Sequence, residues 1–372
     1  MPTPLGHFKI LDLSRILAGP FATQLLADFG AEVIKVEPLT GDPTRGWGPP
    51  FEQGDQGESA YFRCANRGKC SIRMDLRDPD DRERLSELMT AADVVVENFM
   101  PETAEDLGLT WERIHLVHPK LIVASVRGFA SDVPACRRPG YDFIIQAESG
   151  WMSITGEPDG RPMKVGVALA DVLAALYAAN GIQAALLHRE RTGEALHIEV
   201  PLMEAALAGL VNVGASTLMT GKAPERLGNA HPQIVPYQTF ACADGEIALG
   251  VGSDRQFEVL AIWAGISLDA EPAWRTNQGR VQDRQRLVAV LEEHFRGQTV
   301  DGAIAFCDAN AIPASRVRTV DDVLFRQVGE LHQLIQTLYD ENVGRMVPVL
   351  ASPVLFNDER ACSPVPPARW LP

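Results

Sequence analysis

Within its first forty residues the chain writes a strand, a helix and a second strand, and that order restricts the fold more than anything after it. Residues 8–13 (FKILDL) are a buried-strand run. Gly19 and Pro20 then open a helix, FATQLLADF, with proline at the first helical position, and Gly30 ends it before the strand at residues 31–37 (AEVIKVE). Two strands joined through a helix cross over right-handed and lie parallel, which demands a sheet covered by helices. Strands at residues 93–97 (DVVVE), 121–126 (LIVASV) and 195–200 (ALHIEV), with helices at 80–91 and 111–118, continue the pattern. The fold class is α/β, with a Rossmann-like parallel-sheet large domain. The connection after the first strand, SRILAGP, is not G-x-G-x-x-G, so the dinucleotide fingerprint is missing.

Residues 222–233 (KAPERLGNAHPQ) have the texture of a linker. Beyond them Asp244-Gly245 marks a hairpin, and helices at 256–264, 281–295 and 301–307 make a smaller α+β domain. The expected division is residues 1–224, 225–323 and 324–372, the last segment returning to the large domain. Residues 41–68 form a connection long enough to carry function or a partner contact. A net charge of −15 disfavours nucleic acid but leaves room for an anionic small ligand in a local basic pocket. Six cysteines without C-x-x-C spacing, and no histidines at zinc-finger spacing, read as buried thiols in a reducing, cytoplasmic setting with no metal site.

The stretch 161–194 narrows the function. A β-leaning run at 164–167 precedes Asp171, and about five helical turns follow with almost no other polar side chain, up to the cations His188, Arg189 and Arg191 and a left-handed cap at Gly193. A helix apolar nearly all round is buried; its alanine content, Asn180 and Gln183 suit a protein core, not a membrane. Asp171 reads in two ways: as an N-cap, or as a carboxylate aimed from a helix start as nucleophile or base.

Several segments together resemble the family III CoA-transferases, the group that includes formyl-CoA transferase and the α-methylacyl-CoA racemases. They are LDLSRILAGPFATQLLADFGAEVIKVE, GDPTRGWGPPF, NRGKCSI, VVVENF, ASVRGFA, RPGYDFIIQA, MKVGVALAD, RTGEALHIEV and GNAHPQIVPYQTF, in family order over about two-thirds of the chain. The likeness is greatest to the dicarboxylate CoA-transferases. It implies that Asp171 attacks an acyl-CoA thioester to give an aspartyl anhydride, then an aspartyl-CoA thioester, before an acceptor acid reverses the sequence. An aspartate at its ordinary pKa of ~3.9 is ionised at neutral pH and needs no separate base. The resemblance also implies an interlocked homodimer, with CoA and acyl-CoA as substrates and no permanently bound cofactor.

For CoA the resemblance implies Ala18, Lys69, Asn98 and Tyr141. Three of them also have a plain reading: Lys69 as a solvated lysine, Asn98 as a strand-ending turn residue, Tyr141 as a packed aromatic. Arg15, Arg45, Arg67 and Arg127 are candidates for the acid's distal carboxylate. His231 is expected near the site, or as a turn cap. The racemases carry His-Asp where this chain has Tyr141-Asp142, which favours transfer over racemisation; a non-catalytic acyl-CoA binder is the third alternative. The chain also departs from the pattern. Pro38 stands where formyl-CoA transferase has an arginine at the adenine, the loop ETAEDLG is acidic, and GNAHP replaces a run of glycines. An LLGxHT-like C-terminal segment is missing.

Overall fold

The structure, a computed structural model, describes residues 2–52, 58–326, 334–341 and 343–367. Two compact units divide the chain: Met1–Trp151, Lys164–Lys222 and Val328–Pro372 form the first, and Met152–Met163 with Ala223–Gln327 the second.

The first unit is built on six strands: β1 (Lys9–Asp12), β2 (Glu32–Glu37), β3 (Lys69–Arg73), β4 (Val94–Glu97), β5 (Ile122–Arg127) and β6 (His197–Pro201). All pair in parallel, in the order β3-β2-β1-β4-β5-β6. The order reverses between β1 and β4, and in open α/β sheets the crevice at the carboxyl ends there is where ligands bind. Side chains alternate between two cores, as the two-residue strand period requires. Ile10, Val94, Val96, Ile122 and Ala124 face α1 (Ala18–Asp28) and the later helix α8. Leu11, Val95 and Val123 face the opposite helices. After α2 (Ala60–Arg63), that opposite layer is α3 (Pro79–Ala91), α4 (Pro101–Leu107) and α5 (Trp111–Val117); then come α6 (Asp142–Glu148) and α7 (Trp151–Ile154).

The long apolar stretch is α8 (Leu169–Thr192), ended by Gly193 at φ 80°. Its buried residues are chiefly alanines, from Ala170 through Ala174, Ala175, Ala178 and Ala179 to Ala185, which let it approach the sheet and α1 closely. Length and composition alone would let α8 cross a membrane, but half of that window is buried in this fold. The expectation of burial all round is corrected: Leu176, Tyr177 and Leu187 stay between 43% and 49% exposed. Residues 164–167 form no strand, because Gln146 takes the Val165 N–H. The helix expected after Pro201 is two, α9 (Leu202–Ala208) and α10 (Val211–Thr220), bent by 77°.

In the second unit β7 (Tyr237–Cys242), β8 (Gly245–Gly250) and β9 (Ala314–Arg316) form an antiparallel sheet, with the hairpin turning at Asp244-Gly245. It packs with α11 (Asp254–Trp263), α12 (Asn277–Gln282), α13 (Arg284–Arg296) and α14 (Val300–Ala309) around Phe240, Ile247, Phe257, Leu291 and Phe295. Residues 152–163 join this unit through Arg226, whose guanidinium donates to the carbonyls of Ser153, Glu157 and Gly160. Residues 327–333, in the segment expected to return to the large domain, lie outside the described residues. Farther on, the hairpin β10 (Ile335–Asp340) and β11 (Arg345–Leu350) belongs to the first unit, where Arg67 Nη1 donates to Leu350 O at 2.8 Å.

The strand β3 was absent from the sequence reading, and with it the role of Lys69 changes. As the first residue of β3, Lys69 is 1% exposed. Its Nζ donates to Asp12 Oδ2 at 2.9 Å, Pro20 O at 2.7 Å and Asn66 Oδ1 at 2.9 Å. All three ammonium hydrogens are thus engaged inside the fold, which corrects the expectation of a phosphate contact. Burial and Lys35 push the Lys69 pKa down while Asp12 supports it. Burial works against the Asp12 carboxylate too, but Lys69 and Lys35 outweigh it and hold its pKa well below the usual range. Removing one partner of such a pair leaves a buried charge unmatched. Lys69→Met is therefore expected to destabilise the protein by about 3–5 kcal/mol in urea unfolding, against a near-neutral effect for a solvated lysine.

Candidate active site

At the carboxyl edge of the sheet, a cavity of about 360 Å³ is lined by Arg15, Ala18, Asn98, Arg127, Tyr141 and Asp171, among others. Six of the residues singled out from the sequence meet there. Asp171 is the third residue of α8 and only 9% exposed. Its carboxylate accepts no hydrogen bond from the described residues. The cap is supplied from elsewhere: Asp142 Oδ1 accepts the Ala170 N–H at 2.8 Å. That removes the N-cap reading of Asp171 and leaves a buried carboxylate facing a cavity. Burial, and Asp142 after it, push Asp171 up to about 7. The expectation of an ordinary aspartate near ~3.9 is corrected accordingly.

The loop from β1 to α1 is fixed by Asn98. Its Oδ1 accepts from Arg15 N–H at 2.9 Å and its Nδ2 donates to Arg15 O at 2.8 Å. Asn98 was expected on CoA; it lines the cavity, and both its amide atoms hold main chain. Next to it Ile16 has φ 73°, a left-handed conformation that is strained for a β-branched residue and worth about 1–3 kcal/mol. Ala18 is buried at the start of α1. Tyr141 is 59% exposed, which excludes the packed aromatic, and its hydroxyl has no partner among the described residues. Gly128 and Gly140 cross so closely that a Cβ on Gly140 would stand 2.4 Å from Gly128 Cα, which brings the loop carrying Arg138 and Tyr141 against the end of β5.

The four arginines separate. Arg45 Nε and Nη2 donate to Glu37 at 2.7 and 2.6 Å, and the guanidinium also pairs with Glu58 and lies over the Phe62 ring at 3.7 Å. Arg67 is 3% exposed and holds Asp28 through Nη2 at 2.6 Å. Neither lines the cavity, so both are corrected from ligand to framework; carboxylates of the fold already occupy their forks. Arg127 meets Glu97 Oε1 at 3.3 Å but keeps a buried Nε without a partner. Arg15 lines the cavity with no carboxylate partner among the described residues. His231 belongs to the second unit, where its Nδ1 accepts from Gln233 N–H at 3.1 Å as a turn cap.

A model of CoA-transferase family III matches residues 5–369. The chain belongs to that family. This family III CoA-transferase is 40% identical over 359 residues to the succinate–glutarate CoA-transferase of Agrobacterium fabrum, covering 95% of this chain and 90% of that one. It is 40% identical over 346 residues to the succinyl-CoA:glutarate CoA-transferase of Mus musculus, covering 92% and 78%. The crystal structure of a CaiB/BaiF family protein from Brucella suis matches with a TM-score of 0.86 at 39% identity, covering 100% of this chain and 97% of that one.

A second cavity of this CoA-transferase, about 610 Å³, opens over the ends of β1, β2 and β3. Arg15 lines it too, with Pro38, Asp106, Arg77 and Arg82. No carboxylate among the described residues pairs with Arg77 or Arg82. Sequence reasoning missed both, as well as Ile16, Arg138 and Asp142. Only Asp142 had left a signal, an acid in a first helical turn with Gln146 four residues on.

The raised Asp171 carboxyl makes a stability prediction. Its folded pKa lies above the unfolded value, so the folded state binds the extra proton, and Asp171 costs stability increasingly as pH rises from about 4 to about 7. Asp171→Asn is expected to gain on the wild type across that window, by up to about 4 kcal/mol, and to level off above it. Paired urea titrations from pH 4 to 8 measure the difference; a gap independent of pH would contradict the burial argument.

Proposed function

We propose that this enzyme moves CoA from an acyl-CoA donor such as succinyl-CoA to a dicarboxylic acid, with Asp171 as the covalent carrier. The observation that carries this is the Asp171 carboxylate itself: buried, relieved of capping by Asp142, and lining the cavity of about 360 Å³. Asp171 Oδ bonds the thioester carbon, the C–S bond breaks and CoA leaves as the thiolate. The thiolate then bonds Asp171 Cγ, and the donor acid departs as a carboxylate with the bridging oxygen. The acceptor carboxylate runs the same steps backward to its own CoA thioester. Splitting the exchange this way replaces one difficult displacement by easier ones.

The nucleotide end of CoA lies in the larger cavity, with Arg77 and Arg82 in place of the cations missing at Pro38 and in the acidic loop after Asn98. Arg15 and Arg127 take the acid's distal carboxylate, supported by an Arg15 guanidinium with no carboxylate partner among the described residues and by an Arg127 Nε with no hydrogen bond there. The working form is a homodimer. Its support is the apolar surface left on α8 and α10, where Val211, Leu218 and Met219 are 71%, 89% and 83% exposed. The relatives that act on glutarate favour a five-carbon diacid as the first acceptor to try.

Two outcomes test the reading. Asp171→Ala abolishes exchange between succinyl-CoA and labelled glutarate, and hydroxylamine added during wild-type turnover converts Asp171 to a hydroxamate seen by peptide mass; full activity in the variant refutes it. Arg15→Gln raises KM for a diacid acceptor about ten- to a hundredfold while leaving a monocarboxylic acceptor almost unchanged. A rise confined to the acyl-CoA KM would assign Arg15 to the CoA phosphates instead.

A further inference from the structure

Asp142 does not line the cavity, yet it governs the group that does. It opens α6 and directs both carboxylate oxygens at what lies around α8: Oδ1 accepts from Ala170 N–H at 2.8 Å and Oδ2 from Gln146 Nε2 at 2.7 Å. Gln146, fully buried one turn along α6, accepts from Val165 N–H at 2.9 Å and donates to Val167 O at 3.3 Å. Two side chains on one helix thus fix residues 165, 167 and 170, and the next residue is Asp171.

A cap of this kind does not require a charge, since a neutral Asn accepts an N–H equally well. Asp142 nevertheless places a second negative group beside a buried carboxylate, where like charges repel with little screening. The other groups around Asp171 do not cancel it. Tyr61 of α2, pushed up to about 12 by burial and then by Asp171, stays neutral. Arg127 and Arg138 are paired with Glu97 and Glu148. The first turn of α1 has no acid, and Glu204 of α9 is exposed. Arg15 is the remaining unpaired cation of the cavity wall among the described residues.

We propose that Asp142 is the positioning residue for Asp171: its cap seats the helix that aims the nucleophile, and its charge drives Asp171 from free carboxylate into the acyl states. The proposal rests on Asp171 being the covalent carrier. When Asp171 Oδ bonds the thioester carbon, the negative charge leaves with the sulfur; when the thiolate bonds Cγ, it leaves with the donor carboxylate. In the anhydride and in the thioester Asp171 carries no charge, so repulsion from Asp142 is relieved in each.

The test uses the full-length protein with succinyl-CoA and glutarate. Asp142→Asn keeps an acceptor for Ala170 N–H and removes the charge. It is expected to lower the acid limb of the kcat/KM profile by about one pH unit and, in rapidly quenched samples, to reduce severalfold the fraction of enzyme carrying CoA on Asp171. Asp142→Ala also loses the cap, and its kcat falls further at every pH while Asn restores most of it. An Asn variant with the wild-type acid limb and covalent fraction overturns the electrostatic role. Absence of an Asp171 adduct in the wild type refutes the carrier itself, and this proposal with it.

Discussion

The first unit depends on a carboxylate with no access to water. Asp12, at the end of β1, accepts from Lys69 of β3, from Thr23 of α1 and from the backbone and hydroxyl of Ser14. Lys35 of β2 donates to Ser14 O at 2.7 Å and pairs with Asp42 at 3.1 Å. Three strands, a helix and the loop that follows β1 are therefore tied to one point of charge. Such a network is worth little relative to an apolar replacement, but it is costly to break, and its geometry is specific. What it specifies here is the path of residues 14–18, of which Arg15 lines both cavities at the carboxyl edge and residues 16–18 the smaller one.

Above that point the same loop is held by neutral bonds. Asn98, at the end of β4, reads both polar groups of the Arg15 main chain and so joins the strands on either side of the reversal in sheet order. With Asp12 below and Asn98 beside it, the loop can carry Ile16 at a positive φ, a conformation that survives only where its surroundings over-determine it. The Arg15 side chain is then delivered to the edge shared by both cavities with no carboxylate of the described residues to claim it.

How much of this was legible in the sequence follows from what kind of signal each feature leaves. β1, α1 and β2 were legible because their apolar periods and the Pro and Gly at the helix ends act locally. The Asp244-Gly245 turn was legible for the same reason. β3 was not: KCSIR has one large aliphatic residue, and it is a strand because Lys69 finds a buried anion from β1, a fact 57 residues away. Arg45 and Arg67 failed as ligands on similar grounds. A guanidinium reads the same in sequence whether its partner is Glu37, Asp28 or a substrate, and only the fold decides. Asp171 stood out because it is the one acid ahead of the polar last turn of an apolar helix, but which acid caps that helix depended on α6 arriving 28 residues earlier in the chain.

The division between satisfied and unsatisfied polar groups is then itself informative. Lys69, Lys35, Arg67 and Arg45 are buried or nearly so, and each is matched by acceptors of the fold. On the cavity wall, among the described residues, Asp171 accepts nothing, Arg15 has no anion, and Arg127 Nε is buried without a partner. Buried polar groups in folded proteins are overwhelmingly hydrogen-bonded, so a cluster of exceptions needs a cause. Exceptions occur elsewhere too: Asp42 Oδ2 and Glu58 Oε2 of the ion network are buried without a hydrogen bond, but each lies near a cation of the fold. What sets the cavity wall apart is that its open groups have opposite signs, an anion able to form a bond to carbon beside cations able to hold a carboxylate. That arrangement is what the proposed transfer of CoA to a dicarboxylic acid requires.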